Sequence, residues 1–202
     1  MSRGKFITLE GIDGAGKSTH VGTVADFLRG RGTDVVLTRE PGGTPLGEKL
    51  RTVLLSEKLS IDTETLLMFA ARREHISRVI EPALGAGRWV VSDRFTDATY
   101  AYQGFGGGMA KDRIAALEAW VSGGLQPDLT LVFDVPVEVA FGRLPTRNKD
   151  RFESENRAYF ERVRAGYLQR AADDPRRIQV INAERTVPEV KKVVENIMLT
   201  IC

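Results

Sequence analysis

Eight residues near the start of the chain, Gly11, Ile12, Asp13, Gly14, Ala15, Gly16, Lys17 and Ser18, fit the pattern G-x-x-x-x-G-K-[ST], and Thr19 follows them. Glycines at these spacings let backbone N–H groups turn inward on a phosphate, and the N-terminus of a following helix adds its dipole. Lys17 has the reach to meet β/γ oxygens, and the Ser18 hydroxyl suits a Mg2+ ion. The apolar run FITLE precedes the motif and a helical pattern follows it, which is the strand–loop–helix context the chemistry needs. Residues 11–19 are therefore expected to bind a nucleoside triphosphate. Asp13 is the odd member. An ionised carboxylate only accepts hydrogen bonds, so beside phosphates it must face a donor or a cation.

Other polar residues fall where a parallel sheet would gather them. In open α/β sheets, ligands collect at the carboxyl ends of strands. TREPGGT (38–44) follows the second β-rich run and DRFTDATYAYQG (93–104) the third, so Asp93 and Arg94 are expected at the rim beside the glycine turn. Arg143, Arg147, Lys149 and Arg151 form a basic run within nine positions. The motif alone does not say where the γ-phosphoryl goes: a kinase for a small acceptor, a GTPase-type switch and an ATPase coupled to motion or assembly all use it. RNKDR (147–151) has the look of the guanine-reading Asn-Lys-x-Asp, but Lys149 and Asp150 are adjacent and no strand precedes them, which argues against the switch.

The elements that must hold these residues are readable from hydrophobic patterning. Apolar, β-branched runs at 6–9, 35–38, 89–92, 129–133 and 178–181 alternate with helical patterns at about 17–31, 47–56, 63–86, 110–122, 137–143, 152–172 and 187–200. Strands alternating with helices predict parallel pairing, and runs apolar on both faces predict a sheet covered on both sides. Without a repeat or linker, 1–202 is expected to be a single domain. Its 42% hydrophobic and 28% charged content is ordinary for a globular chain. The net charge of +2 is too small to argue for a nucleic-acid partner. The only cysteine is Cys202, so no intrachain disulfide is expected, in keeping with a reducing compartment. The opening residues lack a signal-peptide pattern and no run nears the ~18 apolar residues of a membrane span, which predicts a cytoplasmic protein with no membrane partner.

The blocks GIDGAGKST, TREPGGTPLGEKLR, LLMFAARREH, SDRFTDATYAYQG and DRFE occur in the order and spacing of bacterial thymidylate kinases, from Phe6 to the helix after Phe152. The chain resembles that family. The resemblance implies a P-loop NTPase fold with a five-stranded parallel sheet and a short mobile lid at about 143–151. It implies transfer from ATP to dTMP with Mg2+, giving dTDP for dTTP synthesis, by a homodimer. Another nucleoside monophosphate kinase is the nearest alternative, and a regulatory NTPase switch a further one.

The resemblance also implies roles for single residues. Phe69 would stack on thymine and Arg73, four residues on and on the same helix face, would donate to the base O4. Thr99 and Gln103 would be polar contacts to the base, and Glu40 would lie near the sugar. Arg51 and Arg94 would grip the acceptor's phosphate, a task that suits a planar guanidinium fork. Asp13 would accept from the deoxyribose 3′-hydroxyl, and Asp93 would orient Mg2+ through water. Some relatives carry an arginine inside the glycine turn, where this chain has Gly14. The subgroup this chain follows draws that charge from the lid, making Arg147 and Arg151 the candidates, beside Lys17, for stabilising the transferring group.

Overall fold

The computed structural model describes residues 3–144, 152 and 155–202. Five strands form one parallel sheet: β1 (Phe6–Glu10), β2 (Val35–Arg39), β3 (Trp89–Asp93), β4 (Leu129–Asp134) and β5 (Ile178–Asn182), in the order β2-β3-β1-β4-β5. They coincide with the five apolar runs. Every residue of β1 is buried, so successive side chains, which point to opposite faces, are covered on both. Ile7 and Leu9 join a cluster with Val24 and Leu28, while Phe6 joins another with Ile76, Ile80 and Phe95.

The described helices are α1 (Lys17–Arg29), α2 (Pro45–Ser56), α3 (Ile61–His75), α4 (Glu81–Gly85), α5 (Thr96–Thr99), α6 (Lys111–Ser122), α7 (Val137–Arg143), α8 (Arg157–Asp173) and α9 (Val187–Leu199). Their starts are chemically marked. Thr44, Ser60 and Asn156 each accept the backbone N–H of the third residue of their helices, and Thr186 with Glu189 forms a capping box. The single helix expected over 63–86 is α3 and α4 joined by a π-helical segment, Ile76–Ile80. There the Glu81 amide reaches five residues back to the Ile76 carbonyl, and Pro82 has no amide with which to restore the tighter register.

One element has no counterpart in the sequence reading: α5 runs on into a second π-helical segment, Tyr100–Gly106. Nearly all of this stretch is buried, so no polar face marks a 3.6-residue period. It packs chiefly against α8, and Gly166 of α8 permits the approach, since a Cβ there would lie 2.9 Å from the Phe105 side chain. Among the described residues no helix is long and apolar enough to cross a membrane. The order of strands turns at β1, with β3 on one side and β4 on the other, which opens a crevice at their carboxyl ends.

Candidate active site

Residues 11–19 leave the end of β1 and enter α1. Gly11 (φ 138°) and Gly14 (φ 83°) adopt backbone that disfavours any side chain, and added Cβ atoms would lie 2.5 Å from the Phe133 carbonyl and 2.3 Å from that of Ala140. The close approach of α7 thus leaves no room for an arginine at position 14. Gly16 caps α1 without a side-chain bond, so the amides of its first turn are offered to an anion. Ile12 and Ala15 bury their side chains in the core and contribute backbone only. The Lys17 ammonium donates to the carbonyls of Gly11 (2.9 Å) and Ile12 (3.1 Å). Burial, reinforced by Arg94, pulls it below the ordinary lysine range. Asp13 to Thr19 line a cleft of about 840 Å³ with Asp93, Arg143 and Arg185. The Oδ1 atom of Asp93 is buried without a partner among the described residues.

Arg94, just past β3, is the only described non-glycine residue with positive φ (73°). Such a conformation persists only where the surroundings enforce it. Its amide donates to the Leu9 carbonyl and its carbonyl accepts from the Ser92 hydroxyl. Its Nη2 donates to Asp13 Oδ1 (2.5 Å) and the Tyr102 hydroxyl (3.0 Å), its Nη1 to the Tyr167 hydroxyl (3.3 Å). The Tyr102 hydroxyl donates to the other oxygen of Asp13 at 3.1 Å. Burial alone would raise the Asp13 carboxyl; Arg94, Lys17 and Tyr102 outweigh it and hold it below the usual carboxylate range. The awkward acid of the glycine turn is therefore matched by a partly buried guanidinium.

Behind this pair lies Glu10, fully buried, accepting from the Phe95 amide (2.7 Å) and the Tyr167 hydroxyl (2.9 Å). Burial, then Asp97, pushes its carboxyl from 4.5 up to about 8. Between those values the folded chain keeps a proton that the unfolded chain has released, so this group's contribution to stability falls as pH rises through that window. Glu10→Gln should therefore flatten the fall of Tm between pH 5 and 8 relative to the parent chain. Parallel Tm–pH curves would contradict this account of Glu10.

A second, narrower cavity opens beside the first. Its walls include Asp13, Glu40, Arg51, Arg72, Thr99 and Gln103, with Tyr102, Met68 and Phe152 adding apolar surface. Arg72 is buried and clamped: Nε donates to Glu40 (2.7 Å), Nη2 to the Phe95 carbonyl (3.1 Å) and the Thr99 hydroxyl (3.0 Å), and Nη1 has no partner among the described residues. Glu40 takes its other bond from the His75 ring at 2.9 Å, so both its oxygens serve to hold the wall. Arg51 donates to the Pro41 carbonyl at 3.0 Å and lines both cavities, as do Asp13, Glu40 and Arg94.

Two expected contacts lie elsewhere. Phe69 is buried among Tyr100, Met109, Ile114 and Val121 and is not among the described residues lining the cavity. Arg73 is 47% exposed, donates to the Val121 carbonyl and pairs with Glu81. Their neighbours Met68 and Arg72, also four apart, take the cavity positions. The helix is rotated by one residue from the phase the motif suggested, because Arg72, Ile76 and Ile80 form the stripe that faces inward. That spacing of four was a signal in the sequence; nothing there marked Tyr102, Tyr167 or Glu10. Arg147 and Arg151 lie outside the described residues. Of the basic run, Arg143 is described, donating to the Ala183 carbonyl at 3.1 Å.

A glycine turn at the end of the central parallel strand, sharing Asp13 and Arg94 with an arginine-walled second cavity, defines a P-loop protein built to hold two ligands together. The family model for thymidylate kinase matches residues 9–194. The chain is 63% identical over 200 residues to the thymidylate kinase of Cupriavidus metallidurans, covering 98% of this chain and all of that one. It is 59% identical to that of Methylobacillus flagellatus, covering 97% of each. The crystal structure of thymidylate kinase from Ehrlichia chaffeensis superposes with a TM-score of 0.79 at 34% identity, covering 97% of this chain and 99% of that one. The chain belongs to the thymidylate kinase family.

Proposed function

We propose that this chain transfers the γ-phosphoryl group of ATP to dTMP, giving dTDP and ADP. The observation that carries the reading is the Asp13–Arg94 pair, which borders both cavities and so ties a donor cradle to an acceptor pocket. An oxygen of the acceptor's phosphate attacks the γ-phosphorus, the bond from that phosphorus to the β-bridging oxygen breaks, and ADP leaves with the electron pair. The attacking oxygen is already largely ionised at neutral pH, so no strong general base is needed. Positioning and charge neutralisation supply most of the rate.

The exposed Ser18 and the unpartnered oxygen of Asp93 suit Mg2+, the latter through water, and the ion when bound would neutralise phosphate charge. The first-turn amides of α1 and Lys17 hold the donor's phosphates. Arg94 and Arg51 clasp the acceptor's phosphate. Asp13 accepts from the sugar hydroxyl. Arg72, with its unpartnered Nη1, takes the place first given to Arg73 as donor to the base O4, and Met68 the place given to Phe69 beneath the ring. Thr99 and Gln103 complete the base pocket, with Glu40 holding Arg72 rather than the sugar. Arg147 and Arg151 of the 143–151 lid remain the candidates for the charge that Gly14 does not supply.

A cytoplasmic homodimer completes the reading. Leu66 and Trp120, exposed on the contacting helices α3 and α6, support a partner surface there, and a sedimentation mass of one chain would refute it. The activity itself is tested by ADP release from ATP with dTMP, dUMP, dGMP, dCMP and AMP as acceptors. dTMP should give the highest kcat/KM. Preference for another monophosphate would favour a different kinase, and acceptor-independent hydrolysis a regulatory switch.

A further inference from the structure

Glu64 lies in the first turn of α3, a place where acidic side chains ordinarily face water, yet it is only 3% exposed. Gln103, in the Tyr100–Gly106 segment, is 2% exposed and lines the acceptor pocket. The two meet at 2.7 Å, Gln103 Nε2 donating to Glu64 Oε1. A carboxylate oxygen offers no proton, so the amide must turn its nitrogen toward it; the flipped amide would press two oxygens together. Amide orientation, ordinarily a weak preference, is here decided by a buried acidic side chain. It leaves the amide oxygen of Gln103 with no donor among the described residues.

Lining the same pocket, Arg72 Nη1 is a donor without a partner among the described residues. A donor beside an acceptor complements a ring edge bearing a carbonyl next to an N–H, the lactam edge of thymine or uracil. The amino-pyrimidine edge of cytosine presents the reverse order.

We propose that Glu64 is a positioning residue that locks the Gln103 amide so that its oxygen is presented to the pocket, selecting acceptor nucleotides whose base carries a lactam edge. The proposal rests on the reading of Gln103 as a base contact.

Glu64→Gln preserves shape but lets the pair hydrogen-bond in either sense. It should raise KM for dTMP about tenfold, the cost of one misdirected buried hydrogen bond, with KM for ATP and Tm nearly unchanged. Gln103→Ala should raise the same KM, and in that background Glu64→Gln should add nothing. Glu64→Asp, which keeps an acceptor-only group, should hold KM within about threefold of the parent and serves as the decisive variant if Glu64→Gln lowers Tm. An unchanged KM in Gln103→Ala would overturn the base-contact reading and the proposal with it. A raised KM in Gln103→Ala with no change in Glu64→Gln, or full additivity in the double variant, would overturn the role of Glu64 alone.

Discussion

Replacing Arg94 by alanine is expected to lower kcat/KM for dTMP by about 10³-fold, with a much smaller change in KM for ATP. The magnitude follows from what the guanidinium does at once. It stands ready for the acceptor's phosphate while donating to Asp13, Tyr102 and Tyr167. Its removal takes away the phosphate grip and leaves the partly buried Asp13 carboxylate at the boundary of the two cavities with one cation fewer. Arg94→Lys should recover little, because an ammonium cannot reproduce a planar fork with several directed N–H groups. Both variants keep a side chain at a left-handed position, so backbone strain does not distinguish them from the parent. Steady-state kinetics with dTMP varied at saturating ATP reads the effect; a loss under about tenfold would remove Arg94 from the acceptor grip.

Lys17→Met is expected to cut kcat by about 10²–10³-fold, comparable to deleting one preorganised donor from a transition-state site. The ammonium rests on the carbonyls of Gly11 and Ile12, and burial disfavours its charge there. Phosphate oxygens are better partners than neutral carbonyls, so the side chain is poised to exchange one set for the other when nucleotide arrives. Methionine keeps much of the stem and removes the charge. KM for dTMP should stay within about twofold, since Lys17 serves the transferred group and not the acceptor. A parallel rise in that KM, or a kcat within about tenfold of the parent, would contradict the assignment.

These two residues were legible in the sequence for different reasons. Lys17 belongs to a motif whose chemistry depends on local spacing, and the flanking runs that became β1 and α1 fixed its setting. Arg94 was legible because a residue following a strand in a parallel sheet is carried to the rim. Of the partners of Arg94, Asp13 was marked as an acid in need of a cation, whereas Tyr102 and Tyr167 were not marked at all. Tyr102, Tyr167 and Glu10 lie far apart along the chain, and their meeting depends on α8 packing against the Tyr100–Gly106 segment. That segment's buried surroundings erased the polar periodicity by which a helix is recognised. The Arg72–Arg73 doublet shows a finer limit. Both residues fit an i, i+4 pairing, with Met68 and Phe69 respectively, and only the packing of Ile76 and Ile80 decides which arginine turns inward. A motif carries identity to within one residue; helix phase decides the rest.

Which side chains a bound acceptor meets decides between Arg72 and Arg73 and between Met68 and Phe69. A crystal structure of the chain with dTMP reads this directly. The phosphate should lie within hydrogen-bonding distance of Arg94 and Arg51, the sugar beside Asp13, and the base carbonyl on Nη1 of Arg72. A nucleotide found with its base against Phe69 and Arg73, or seated outside the cavity that Arg72 and Arg94 border, would contradict it.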